Sequence, residues 1–148
     1  MQTFLPYPSF TKSARALDRA RLGKQRVEAL QLCNALLRQE GGWYRHAAAR
    51  MWQGHELALA RYGMTICKVW IERGYRDTCY GKIRALFAEY TIEDLRLATA
   101  PLWVGDPDFH RSHQSNLIRK DPDYYGPQFP GVPDDLPYIW PVDRSFES

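Results

Sequence analysis

The sequence predicts an all-α fold: a compact single-domain helical bundle with an apolar N-terminal arm and an extended aromatic and proline-rich C-terminal tail. Three observations carry that expectation. Two long stretches, DRARLGKQRVEALQLCNALLRQ and HELALARYGMTICKVWIERG, repeat apolar residues at helical spacing. Helix-starting acids, Asp18, Asp77 and Asp106, stand where helices should begin. No segment alternates apolar and polar residues with the period of a strand. At 148 residues the chain suits one domain over residues 1–148, with a single core.

Taken in order, the arm MQTFLPYPSF is too apolar to be left in solvent and too interrupted by proline to be helical, so it should be pinned to the body. Thr11 or Ser13 should cap a short turn. Asp18 caps the first long helix, which the Gly41-Gly42 pair ends. Its apolar face comprises Leu22, Ala29, Leu30, Leu32, Cys33, Leu36 and Leu37, with Lys24, Glu28 and Gln31 on the other side. Gln25 and Arg26 break the pattern at its edges, and such an arginine needs a carboxylate or carbonyl partner.

The stretch GWYRHAAARMWQG reads as a loop with a short helical piece. The second long helix ends at Gly74, and DTCYGKIRALFAEY forms a third, capped by Asp77. Asp106 followed by Pro107 starts another over GDPDFHRSHQSNLIRK. From about residue 121, DPDYYGPQFPGVPDDLPYIWPV has six prolines and no periodicity, so it should wrap the body as extended chain without adding an element.

Composition narrows the function classes. The 45% apolar and 25% charged fractions are those of a globular protein, and no apolar run reaches the ~18 residues of a membrane span. The opening has no features of a secretory signal. Cys33, Cys67 and Cys79 are odd in number and widely spaced, which suits buried thiols in a reducing cytoplasm. A net charge of +3 permits nucleic acid without demanding it. Twenty Trp, Tyr and Phe residues are compatible either with base stacking or with covering a small core.

No metal-ligand pattern accompanies the four histidines, and His110 and His113, on one helical face, are expected at the surface or facing phosphate. The stretches HRSHQSNL and RKDPDYYG bring cations, amide donors and aromatics together as a possible grip on a nucleic-acid backbone. Arg119 and Lys120 serve equally well as complements to a helix dipole. Glu28, taken alone, is an i,i+4 partner for Lys24.

Several landmarks then fall in a familiar order: MQTFLPYPSF, the spacing of Asp18, Leu22 and Glu28, the helix end IERGYRDT, and SHQSNLIRKDPDYYG. From residue 1 to about 126 the chain resembles the pyrimidine-dimer DNA glycosylases typified by the phage endonuclease V, and especially their small bacterial branch. The resemblance implies that an N-terminal α-amine, here that of Met1, attacks the sugar C1′ of a damaged or modified pyrimidine in double-stranded DNA. It implies Glu28 as the catalytic carboxylate, an AP-lyase step, and no metal or organic cofactor. Asn116 and Lys120 match positions where that family contacts DNA, and with them Arg26, Arg45, His46, Gln114 and Arg119 form the set expected to face DNA, in a monomer. The chain departs from the phage type at Gln2, where a small residue is usual, and at Val27 and Gln31, where arginines stand. Those departures leave a second reading open, a non-catalytic DNA-binding protein with the glycosylase fold.

Overall fold

The computed structural model describes residues 1–143. Helix is the only regular secondary structure among those residues, with no strand, as the sequence predicts. Nine α-helices run in order: α1 Phe10–Ala16, α2 Arg19–Arg38, α3 Gly42–Arg45, α4 Ala47–Arg50, α5 Glu56–Glu72, α6 Cys79–Leu86, α7 Ile92–Arg96, α8 Pro107–Lys120 and α9 Pro122–Tyr125. A single 3-10 turn, Pro141–Asp143, closes the described chain.

The two long helices, α2 and α5, are the centre. Leu22, Ala29, Leu32, Cys33 and Leu36 of α2 are buried as the periodicity predicts, while Leu37 is 46% exposed at the helix end. Gly63 of α5 lets the helices close up: a Cβ there would lie 3.0 Å from that of Ala29 and 2.8 Å from Ile83 Cδ1. Trp52, Tyr62, Trp103 and Phe109 complete the core, so most of the large aromatics serve packing. All three cysteines are free and buried, and burial pushes the Cys33 thiol up to about 12. No helix among the described residues is long and apolar enough to cross a membrane.

The helix ends correct several expectations. Ser9, not Thr11 or Ser13, caps α1 by accepting from the Lys12 N–H at 3.1 Å. Ser13 instead clamps the arm, its Oγ accepting from the Tyr7 N–H at 3.1 Å and donating to the Tyr7 carbonyl at 2.9 Å. Asp18 precedes α2 as expected, yet its side chain makes no cap. The Tyr125 hydroxyl and Arg21 guanidinium have claimed it. Helix α2 ends on Gln39 in the left-handed region (φ 56°), two residues before the glycine pair. Gly74 (φ 92°) does follow α5, and Asp106 does cap α8 through the Phe109 N–H. The third helix is shorter than predicted and stops at Leu86. There Arg84 donates to the Phe87 carbonyl at 2.9 Å, and α7 restarts behind a reciprocal Thr91–Asp94 capping box. The tail follows the expected irregular course only over residues 135–140; before that Asp121 and Pro122 start the one-turn helix α9 and residues 126–131 form turns, so it does add an element, contrary to expectation.

Candidate active site

The arm is tied down at nearly every peptide from Gln2 to Tyr7. The Gln25 side chain, buried in the α2 wall, accepts from the Phe4 N–H at 2.9 Å and donates to the Gln2 carbonyl at 2.7 Å. Tyr62 donates to the Phe4 carbonyl at 2.8 Å, and the Trp52 indole to Thr3 Oγ1 at 3.0 Å. Leu5 is held by two histidines of α8. His113 Nδ1 accepts its N–H at 3.0 Å, and His110 Nδ1 donates to its carbonyl at 2.7 Å. His110 Nε2 accepts from the Gly105 N–H at 2.8 Å, which fixes the proton on Nδ1. The two histidines are therefore arm anchors, buried and not at the surface as expected from sequence. Each Nδ1 is spent on a peptide group. Burial, reinforced by neighbouring His110, drives His113 down to about 3, so its imidazole is neutral.

This anchoring delivers the first residues to Glu28. The Gln2 N–H donates to Glu28 Oε2 at 3.2 Å, and Lys24 Nζ lies 3.5 Å from Oε1. The Glu28 side chain is 12% exposed while Lys24 is 78% exposed, so the i,i+4 pair exists and the carboxylate still belongs to the interior. Met1, Gln2, Glu28, Lys24, Lys120 and Tyr138 line a cavity of about 380 Å³, at the small end of ligand pockets. Its rim is basic. Arg21 also lines it, paired at 3.0 Å with Asp18. Burial pushes the Asp18 carboxyl up, but Tyr125 and Arg21 outweigh it and hold it below the usual carboxylate range.

The predicted site residues divide into two groups. Met1, Glu28 and Lys120 line the cavity. His46 lies close by: burial and the charge of the terminal amine push its imidazole below the ordinary histidine value, against an opposing pull from Glu28. Its Nδ1 caps α4 through the Ala48 N–H at 3.0 Å. Arg45 is exposed at the end of α3. The remaining four are engaged within the chain. Arg26 finds the carboxylate partner its position demanded, Asp77 at 2.6 Å, and stacks over Trp70. Asp77 simultaneously caps α6 through the Cys79 and Tyr80 N–H groups. Gln114 donates to the Pro6 carbonyl at 2.7 Å. Asn116 and Arg119 donate to the Leu136 carbonyl at 3.0 and 3.2 Å, and to each other's neighbourhood through an Arg119 to Asn116 Oδ1 bond. Among the described residues no three His, Cys, Asp or Glu side chains come together as a metal set.

Among the lining residues not predicted for the site, Gln2 and Tyr138 stand out. Gln2 is buried, its Oε1 accepting from the Thr3 N–H at 2.9 Å, and Tyr138 arrives from the aperiodic tail.

The family model describing pyrimidine dimer DNA glycosylases matches residues 1–81, more than half of the chain. The chain belongs to that family. Membership makes DNA the substrate class and glycosylase the activity class. The matched span carries the arm, Glu28, Lys24 and the buried Gln25, whereas Lys120 and Tyr138 lie beyond it. Comparisons with curated proteins and with solved structures found no match.

Proposed function

We propose that this pocket releases damaged or modified pyrimidines from double-stranded DNA by covalent catalysis, followed by strand cleavage at the abasic sugar. The observation that carries the reading is the Gln2 N–H to Glu28 Oε2 contact at 3.2 Å, which holds the first residue of the chain over a cavity walled by that carboxylate. The nucleophile is the α-amine of Met1 in its neutral form, which carries a free lone pair. Its lone pair attacks C1′ and the glycosidic bond breaks, its electrons leaving with the base, which takes up a proton. The amine nitrogen then loses a proton, and its lone pair forms a C1′=N bond as the C1′–O4′ bond breaks and O4′ takes up a proton, which leaves a protonated imine on the opened sugar. The C2′ proton, acidified by that imine, then leaves, a C=C bond forms, and the C3′–O bond breaks to release the phosphate.

Glu28 stabilises the positive charge that develops at C1′ and serves the proton transfers. Lys120, with Arg45 and His46, would contact the DNA backbone, and the target nucleotide must leave the stack to enter a pocket of this size. Arg26, Gln114, Asn116 and Arg119 act by holding the arm, α2 and the tail in place. The protein would work as a monomer in the cytoplasm, where its three buried thiols suit a reducing setting.

The test is borohydride trapping on UV-irradiated duplex DNA and on duplexes with modified pyrimidines, with mass mapping of the crosslinked peptide. An adduct on Met1 supports the reading. Its absence on every substrate with DNA binding intact favours the non-catalytic binder, which Val27 and Gln31, in place of the phage type's arginines, keep in play.

A further inference from the structure

The tail returns to the pocket along a track laid on α8. The Leu136 N–H donates to Ser115 Oγ at 3.0 Å, and its carbonyl accepts from Asn116 and Arg119. The Ile139 N–H donates to Ser112 Oγ at 3.2 Å. Residues 112, 115, 116 and 119 share one face of a helix. With both Leu136 and Ile139 fixed to that face, the position of residue 138 is set.

Tyr138 lines the cavity that Met1, Glu28 and Lys120 also line. Its ring is braced from behind. The buried His113 imidazole meets it edge to face at 5.5 Å and 77°, and Trp140 packs against it at 5.7 Å. Trp140 in turn rests on His46 at 5.9 Å. The same His113 ring meets Phe4, the other aromatic side chain of the cavity, at 6.3 Å and 80°. Most of the remaining lining is charged or amide, suited to phosphate, sugar and the reacting carbon. The braced rings offer the aromatic face that a nucleobase requires.

We propose that Tyr138 contacts the substrate, its ring stacking on the pyrimidine while Glu28 faces the sugar, so that the tail determines which bases the pocket holds. Ser112, Ser115, Asn116 and Arg119 are its positioning residues. This inference rests on the proposed amine chemistry, and the experiment separates the two. Borohydride adduct rates would be measured on two duplexes of one sequence, one with a cyclobutane pyrimidine dimer and one with an abasic site, which has no base to stack. On the dimer, Tyr138→Ala should slow adduct formation by roughly ten- to a hundred-fold, the scale of losing one base-aromatic stack. On the abasic duplex the same variant should lose far less than on the dimer, and the adduct it forms there certifies that it folds. Tyr138→Phe keeps the ring and should retain most of the dimer rate. An equal loss on both duplexes, or no loss on the dimer, overturns the assignment of Tyr138. Wild-type protein that forms no adduct on the abasic duplex overturns the amine chemistry and this inference with it.

Discussion

Replacing Gln25 with leucine removes two bonds to the arm while nearly conserving side-chain volume. The Phe4 N–H and the Gln2 carbonyl lose partners at 2.9 and 2.7 Å. An unsatisfied buried backbone group costs about 1–3 kcal/mol, so the pair accounts for about 2–6 kcal/mol. Residues 1–4 can partly relax toward the cavity, which brings the expected loss to about 3 kcal/mol, a large share of a total stability of about 5–15. With a urea m-value of about 2 kcal/mol per molar, the midpoint should fall by about 1.5 M. Tryptophan fluorescence is a fitting probe, because buried Trp52 is itself bonded to Thr3 of the arm. The arm beyond Leu5 keeps His110, His113 and Gln114, so the damage concentrates at Met1 and Gln2. Adduct formation on abasic DNA should therefore fall further than stability does. An unchanged midpoint together with a wild-type adduct rate would refute the view that Gln25 registers the arm on Glu28.

Three further predictions follow from the same geometry. Glu28→Gln should abolish base release while leaving duplex affinity close to wild type; base release near the wild-type rate would reduce Glu28 to the i,i+4 partner of Lys24. Lys120→Ala should weaken duplex binding across sequences and lower the slope of log K against log salt by about 0.9, one phosphate's worth; an unchanged slope would remove Lys120 from the interface. His113 is held at about 3 in the folded chain against about 6.5 unfolded, so its contribution is complete above about pH 6.5 and is lost as pH falls toward 3, by up to about 1.4 kcal/mol per pH unit. His113→Asn keeps an acceptor and does not titrate, so urea midpoints at about pH 6 and 5 should differ less in the variant than in wild type, and equal differences would count against this.

The helices were legible where one local signal sufficed. Asp18, Asp106 and Gly74 mark boundaries that the structure keeps, and Arg26 announced its need for a partner by breaking an apolar face. The partner itself, Asp77, was invisible because it is 51 residues away and already read as a cap. The Thr91 to Asp94 capping box lies just beyond the predicted third helix, and the five-residue helix it starts is too short to show a period. In α8, His110, His113, Gln114, Asn116 and Arg119 looked like a polar face meant for DNA. It is polar because the arm and the tail bring backbone groups that need bonds. Neither segment has a period, so nothing local foretold that α8 would bind the chain's own ends. Tyr138 was unreadable for the same reason.

That α8 holds the arm has a consequence for the life of the newly made chain. Leu5 and His113 are 108 residues apart, so during synthesis the arm emerges long before its anchor exists, and contacts of such separation form late. Throughout that interval the first residues are open to the processing enzymes that meet every nascent chain. Docking therefore comes too late to protect Met1. On the proposed chemistry Met1 has to be kept before docking, and the bulk of Gln2, the residue next to the bond that an aminopeptidase would have to cut, is the feature that would keep it. In the folded protein the same glutamine is buried beneath the terminus, its side-chain oxygen on the Thr3 N–H, so on the proposed chemistry one side chain would serve twice, first beside the bond to be spared and then under the amine.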